Sequence, residues 1–75
     1  LKIYPNPNSG TFTINALNTS DKIDVQVFDL LGKKVLELNQ VNPKTTVSLN
    51  ERDGVYLVKI KSGNDIRVQK IILKR

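Results

Sequence analysis

Serine and threonine hydroxyls are candidate nucleophiles in this sequence, but no histidine is present to activate them. The 75-residue chain contains no histidine and no cysteine. Histidine is the commonest general base, and both residue types are the usual ligands of transition metals. A serine or threonine nucleophile needs an adjacent base, and a lysine serves as one only where burial desolvates it. The sequence therefore argues against an enzyme and predicts no cofactor and no metal.

Carboxylates are the other side chains here that could take part in catalysis or bind a cation. Two pairs could work as acid and base: Asp24 with Asp29, and Glu51 with Asp53. Three residues could contribute to a calcium site: Asp21, Asp24 and Asp65. Asp24 is expected to point outward from a strand, whereas Asp29 and Asp53 stand at turn positions. Since no loop has alternating aspartates followed by glycine, we expect ordinary surface and turn roles.

Positive charge exceeds negative charge, but it is spread along the chain. Twelve Lys and Arg face seven Asp and Glu, which gives a net charge of +5. Such an excess permits contact with nucleic acid, anionic lipid or acidic glycans. The densest arrangement is a modest stripe in which Lys59 and Lys61 share a strand face and flank Arg67. We expect a solvated sheet face and no nucleic-acid partner. No apolar run approaches the length of a transmembrane segment.

Alternation of apolar and polar residues dominates the chain and predicts β-strands. Residues 11–15 and 23–27 alternate with a period of two, and Val, Ile and Thr are frequent. Turn residues separate the alternating segments about every ten positions, which is typical of antiparallel sandwiches. We predict an all-β, seven-stranded antiparallel immunoglobulin-like β-sandwich. Its strands are expected at about 1–4, 10–15, 22–29, 33–39, 45–49, 55–62 and 65–73.

Three connections have recognisable local chemistry. Prolines restrict both themselves and the residues before them, so residues 5–10, which we call the proline corner, are expected to be stiff. Asp29 and Gly32 occupy the first and fourth positions of a predicted type I turn. Gly63-Asn64, between two alternating segments, predicts a tight hairpin.

One face of each predicted strand supplies the core. Its expected members are Ile3, Phe12, Ile14, Ile23, Val25, Val27, Val35, Val47, Leu49, Tyr56, Val58, Ile60 and Val68. The last strand is contradictory, because Ile66 and Val68 lie on one face whereas Ile71 and Leu73 lie on the other. We expect either a bulge near positions 69–70 or burial of the strand end on both faces.

Four segments are not explained by the fold class alone. They are Tyr4-Pro5-Asn6-Pro7 with Gly10, Val25-Gln26-Val27-Phe28-Asp29 with Gly32-Lys33, Gly54-Val55-Tyr56, and residues 70–74 with a lysine at each end. Each has a structural explanation when it is taken singly. In this order and spacing they resemble the C-terminal sorting domain of proteins exported by the type IX secretion system of Bacteroidetes-type bacteria. The resemblance covers nearly the whole chain.

The resemblance implies a secretion signal with a seven-stranded immunoglobulin-like fold. A cargo protein would precede it in the same chain, and the outer-membrane translocon would read it after it has crossed the periplasm folded. A sortase-like peptidase would commonly remove it at the cell surface, where the cargo is released or attached. The motif residues that the resemblance marks for recognition are Pro5, Asn6, Pro7, Gly10, Asp29, Gly32, Gly54, Tyr56, Lys70 and Lys74.

Two further expectations concern the ends of the chain. A complete translation product begins with methionine and this sequence contains none, so we expect residues 1–75 to be a single C-terminal domain cut from a longer secreted protein. We also expect the last strand to offer an open edge for strand addition, flanked by Lys70 and Lys74.

The alternative is an immunoglobulin-like accessory module of a secreted enzyme, which binds carbohydrate or spaces domains. A sugar-binding platform requires exposed aromatic side chains. Tyr4 and Phe28 are the only candidates, since Phe12 and Tyr56 are expected in the core. A sequence Asn18-Thr19-Ser20 also matches a glycosylation acceptor, although matches this short are common by chance.

Overall fold

The structure is a computed structural model that describes residues 1–17 and 19–75. Its seven strands are β1 (Lys2–Tyr4), β2 (Thr11–Asn15), β3 (Ile23–Phe28), β4 (Lys34–Val41), β5 (Lys44–Ser48), β6 (Gly54–Ser62) and β7 (Asp65–Leu73). Within these described ranges no helix is long and apolar enough to cross a membrane. The possible glycosylation acceptor at Asn18 lies outside the described residues.

The strands form two antiparallel sheets. One has the order β1-β2-β5 and the other the order β4-β3-β6-β7. The predicted all-β architecture with seven antiparallel strands is confirmed, and the predicted strand boundaries differ from the observed ones by at most two residues. The immunoglobulin-like label for this sandwich stays a prediction.

The core lies between the two sheets and is supplied by alternate residues of the strands. The buried residues that the alternation predicted are Ile3, Phe12, Ile14, Ile23, Val25, Val27, Val47, Leu49, Tyr56, Val58 and Ile60. Val35 packs against this cluster while remaining partly exposed. Three further apolar residues are buried that the alternation did not place there: Ala16, Ile71 and Leu73.

The faces of β7 differ from the prediction. Its pairing with β6 runs without a register shift from Gly54 opposite Leu73 to Ser62 opposite Asp65. Ile71 is fully buried whereas Val68 is 59% exposed. The predicted burial of Val68 is therefore wrong, and so are both the bulge and the two-sided burial. The partner of Val68 on β6 faces outward. Because directly paired residues of antiparallel strands share a face, Val68 lies on the outer face of the sheet too.

The β6–β7 hairpin fixes this register. Ser62 pairs with Asp65 across the two-residue loop Gly63-Asn64, as the sequence predicts. Gly63 has a φ of 59°, which glycine adopts without the penalty that a Cβ atom would impose. Because a two-residue loop allows one register, the hairpin determines which β7 residues reach the core.

Candidate functional site

The four segments singled out in the sequence lie at one end of the sandwich. Gly54, the first residue of β6, pairs with Leu73, the last residue of β7. Asn8 in the proline corner forms a parallel bridge with the same Leu73. The end of β3 lies beside the start of β6, so the turn at residues 29–33 follows at this end as well. Segments far apart in the sequence thus form one surface.

The proline corner attaches to the outer edge of β7. The backbone N–H of Asn8 donates to the carbonyl of Ile72 at 2.9 Å, and the N–H of Lys74 donates to the carbonyl of Asn8 at 2.8 Å. The N–H of Ile72 donates to Oδ1 of Asn6 at 2.9 Å. The corner therefore occupies the end of the β7 edge as an additional strand would.

This pairing overturns the expectation of an open edge between Lys70 and Lys74. The edge-facing backbone groups of Ile72, and the N–H of Lys74, already have partners in the corner. The part of β7 whose edge is free of such contacts is its first half, residues 66–69, within the portion of the chain that the structure describes.

Asn8 is a buried polar residue that holds the corner in place. It is 3% exposed. Its Oδ1 accepts from the N–H of Gly10 at 2.9 Å and its Nδ2 donates to the carbonyl of Ile72 at 3.3 Å. Both ends of the amide are hydrogen-bonded, as a buried polar group requires. No local pattern in the sequence marks Asn8, because its role depends on β7.

Gly10 allows the C-terminal residue to approach the corner. It has a φ of 118°, and a Cβ atom built on it would lie 3.1 Å from Nη2 of Arg75. The Arg75 guanidinium donates to the carbonyl of Leu49 at 2.8 Å and to that of Glu51, and its side chain lies 3.8 Å from the Asp53 carboxylate. Arg75, which the sequence analysis also missed, fastens the end of the chain to the β5–β6 loop.

The turn between β3 and β4 is built by one aspartate. Oδ1 of Asp29 accepts from the N–H groups of Leu31 and Lys33, both at 2.9 Å. Its carbonyl accepts from the N–H of Gly32 at 3.1 Å, which confirms the predicted turn. The positive φ of Gly32, 86°, suits glycine. Leu30 and Leu31 are presented to solvent at the tip, 68% and 95% exposed.

Tyr56 anchors the loop that precedes β6. Its side chain is buried, and its hydroxyl donates to the carbonyl of Arg52 at 2.6 Å. Burial raises the pKa of this hydroxyl, and the negative charges of Glu51 and Asp29 raise it further. Tyr56 is thus kept neutral and hydrogen-bonded, which is a structural role.

Lys70 and Lys74 differ from the other motif residues. Both are exposed, and neither ammonium group pairs with a carboxylate among the described residues. Lys70 pairs with Leu57 and therefore projects from the outer face of the sheet. Asn6 and Asp29, in contrast, use their side chains to hold backbone groups in place. The two lysines are the motif residues with charged groups available to a partner.

The whole pattern matches one protein family. The family model described as the secretion system C-terminal sorting domain covers residues 2–74. This chain belongs to that family. The sorting domain is a C-terminal secretion signal, a non-catalytic module that marks a protein for export, as the resemblance of the four segments predicts.

A curated relative of this sorting domain is the endo-acting ulvan lyase of Formosa agariphila. The two are 29% identical over 76 residues, which cover 97% of this chain. The sorting domain spans 14% of the length of that relative. The similarity therefore concerns one small part of the lyase.

Three of the carboxylates considered for catalysis or calcium binding make local structural contacts. Oδ1 of Asp24 accepts from the backbone N–H of Gln40 at 2.9 Å, whereas Asp29 builds the turn at the other end of β3. Asp65 pairs with Arg67 at 3.3 Å. Across residues 1–17 and 19–75, no three such side chains are grouped to hold a metal ion.

The predicted basic stripe is wrong in one member. Lys59 and Lys61 alternate with the core residues of β6 and share the outer face, as expected. Arg67 pairs with Ile60, a core residue, and therefore projects from the opposite face.

The two aromatic candidates for a sugar platform lie in different sheets. Tyr4 belongs to β1 and Phe28 to β3. They do not share a sheet face, so these two side chains do not form the paired platform expected of a carbohydrate-binding module.

Proposed function

We propose that this sorting domain is the address by which the outer-membrane type IX translocon recognises a cargo protein preceding it in the same chain. The convergence of the four motif segments at one end of the sandwich carries the proposal. An address shared by different cargoes has to present a surface that forms without the cargo. Here the proline corner and residues 70–75 hold each other in place through their own hydrogen bonds.

In this function some motif residues bind the translocon and the others build the surface. Lys70 and Lys74 provide charges for the translocon to bind. The surface on which they stand is built by Pro5, Asn6, Pro7, Gly10, Asp29, Gly32, Gly54 and Tyr56.

The route of the cargo follows from this role. The sorting domain crosses the periplasm folded, and a sortase-like peptidase removes it at the cell surface, where the cargo is attached or released. Because the relative with a matching segment is named a lyase, a secreted enzyme is the kind of cargo we propose.

The test is export of a reporter protein fused in front of residues 1–75, in a bacterium that has the type IX system. We expect the fusion with native residues to reach the surface or medium. The double variant Lys70→Gln/Lys74→Gln should remain cell-associated, because it removes the two exposed charges of the terminal motif without changing a buried residue.

The matched control is Lys59→Gln/Lys61→Gln, which lowers the net charge equally on the same sheet. It should be exported as well as the native fusion. Export of the Lys70→Gln/Lys74→Gln fusion at the native level would contradict the assignment of these lysines. Retention of the native fusion would contradict the proposed function.

A further inference from the structure

The edge of β7 differs from the other sheet edges of the described chain. β1 is three residues long and β5 five, while the pairing of β4 with β3 is interrupted by two register shifts. Short and bulged edges resist pairing with another chain. β7 has nine residues and no register shift, so it lacks both of these protections.

Half of this edge is closed by the proline corner and half is open. The backbone N–H and C=O of Ile72 point to the corner. Every second residue of a strand directs these groups to the same side, so the N–H and C=O of Val68 and Ile66 also point outward from this edge. Among the described residues these groups of Val68 and Ile66 have no backbone partner. Together they form an unpaired ladder that continues the one made with the corner.

The side chains at the open half are aliphatic and exposed. Ile66 is 51% exposed and Val68 is 59% exposed. Aliphatic residues on a regular open edge are what a protein normally avoids, because they invite strand pairing. Their presence beside an edge that is closed elsewhere points to a partner.

Positive charge surrounds the open half on the outer face of the sheet. Lys61 is paired with Ile66 and Lys59 with Val68, and Lys70 follows on β7. None of these three ammonium groups forms an ion pair in the described part of the chain.

The carboxylates near this face are already engaged. Glu37 accepts from Lys34 at 2.8 Å and from Gln26 at 3.1 Å, and Asp65 pairs with Arg67. Asp24, opposite Lys61 on β3, accepts hydrogen bonds from Gln40. Asp24 keeps its negative charge and offsets part of the charge of Lys61, so the positive excess lies on Lys59 and Lys70, and it favours an acidic partner. It disfavours a second copy, which would bring its own lysines and its net charge of +5 to the same edge.

We propose that residues 66–69 of β7 bind an extended segment of another protein, which adds to the four-stranded sheet. On the outer face of the sheet, aliphatic side chains of the segment lie beside Ile66 and Val68, and an acidic side chain two positions further along lies beside Lys70. Main-chain hydrogen bonds supply affinity and the side chains on this face supply specificity. The inference goes beyond the proposed function and does not require the partner to belong to the translocon.

The test uses a synthetic peptide added to the isolated chain. Two alternate positions of the peptide are valine, the alternate position on either side of them is glutamate, and the positions between are threonine, so that one face carries the valines and the glutamates together. Backbone amide exchange, measured by NMR, reports each residue. We expect exchange of the Ile66 and Val68 amides to be fast in the free protein and slowed by the peptide. A peptide with lysine in place of glutamate should bind roughly threefold more weakly, a difference that one surface ion pair supplies.

Two variants test the edge itself. Val68→Pro removes a backbone N–H that faces solvent, a position where edge strands accept proline, and should abolish binding. Val68→Asp keeps the backbone but replaces the aliphatic side chain with a charge that repels the peptide, so it keeps the test decisive if the proline variant fails to fold. Val68→Thr, which retains the N–H and strand propensity, is the control and should bind.

The inference would be overturned if the peptide does not slow amide exchange at Ile66 and Val68, or slows it only in other strands. It would also be overturned if Val68→Pro or Val68→Asp binds the peptide as well as the native chain does, or if these amides are protected in a concentration-dependent way without peptide. The last result would identify a second copy as the occupant. Normal export of the reporter fusion together with any of them would leave the proposed function standing, so the two failures are distinguishable.

Discussion

At the scale of single residues, Tyr56 links the stability of the domain to alkaline pH. Its folded-state pKa is raised, chiefly by burial, above the ordinary tyrosine value of about 10. Below that value both the folded and the unfolded state keep the proton, and the stabilising contribution is fully present. It is lost as the pH rises through the higher folded-state pKa.

The variant Tyr56→Phe tests this contribution. At pH 7 it should lower the free energy of unfolding by about 1 kcal/mol, because it leaves the carbonyl of Arg52 without its donor. The gap between native and variant should narrow above pH 10, as measured by urea unfolding at several pH values. Tyr4→Phe, which removes a more exposed hydroxyl, should change stability by less than about 0.5 kcal/mol at pH 7. A gap that widens above pH 10 would contradict the assignment.

At the scale of strands, β7 shows how register decides which residues reach the core. Ile71 is fully buried while its neighbour Ile72 is 37% exposed. Ile71→Val should therefore lower the free energy of unfolding by about 1 kcal/mol, and Ile72→Val by less than about 0.5 kcal/mol. Chemical denaturation of the two variants measures both. Equal losses would show that β7 does not hold the register described.

The same strand shows why part of the fold was predictable and part was not. In β2 and in residues 23–27 of β3 the apolar residues have one parity, so the faces of these strands follow from the residues alone. In β7 both parities contain aliphatic residues, and the choice between them depends on the pairing of Ile71 with Tyr56 across the sheet. A pattern within one strand carries no information about that pairing.

The contacts of the candidate site also include some that the sequence predicts and some that it does not. The turn at Asp29 was predictable because its hydrogen bonds join residues at most four positions apart. The contacts of Asn8 and Arg75 were not, since they join segments at opposite ends of the chain and no local pattern marks them. The open edge was placed at the wrong half of β7 for this reason, because the proline corner that closes the other half is distant in sequence.

At the scale of the whole molecule, the last six residues belong to the core as much as to the surface. Deleting residues 70–75 removes Ile71 and Leu73, both buried, and each such loss costs about 2–5 kcal/mol. A chain of this size has a total stability of about 4–11 kcal/mol. We expect the truncated chain to show no cooperative thermal transition by circular dichroism.

The variant Lys70→Gln/Lys74→Gln is the control for the truncation, and it should unfold cooperatively near the native midpoint. An export defect of the truncation thus reports lost folding, whereas a defect of the double variant reports lost recognition. A cooperative transition in the truncated chain would show that the corner and β7 are less important to the fold than their contacts indicate.

The hydrogen bonds between the proline corner and β7 join residues 64 and 66 positions apart. The corner is among the first parts of the domain to be synthesised and its partner is the last. A copy whose translation stops before residue 70 never closes the corner and never displays the surface on which the two lysines stand. Under the proposed function, a truncated copy would therefore lack the surface that the translocon binds, and only copies that extend through β7 would be exported.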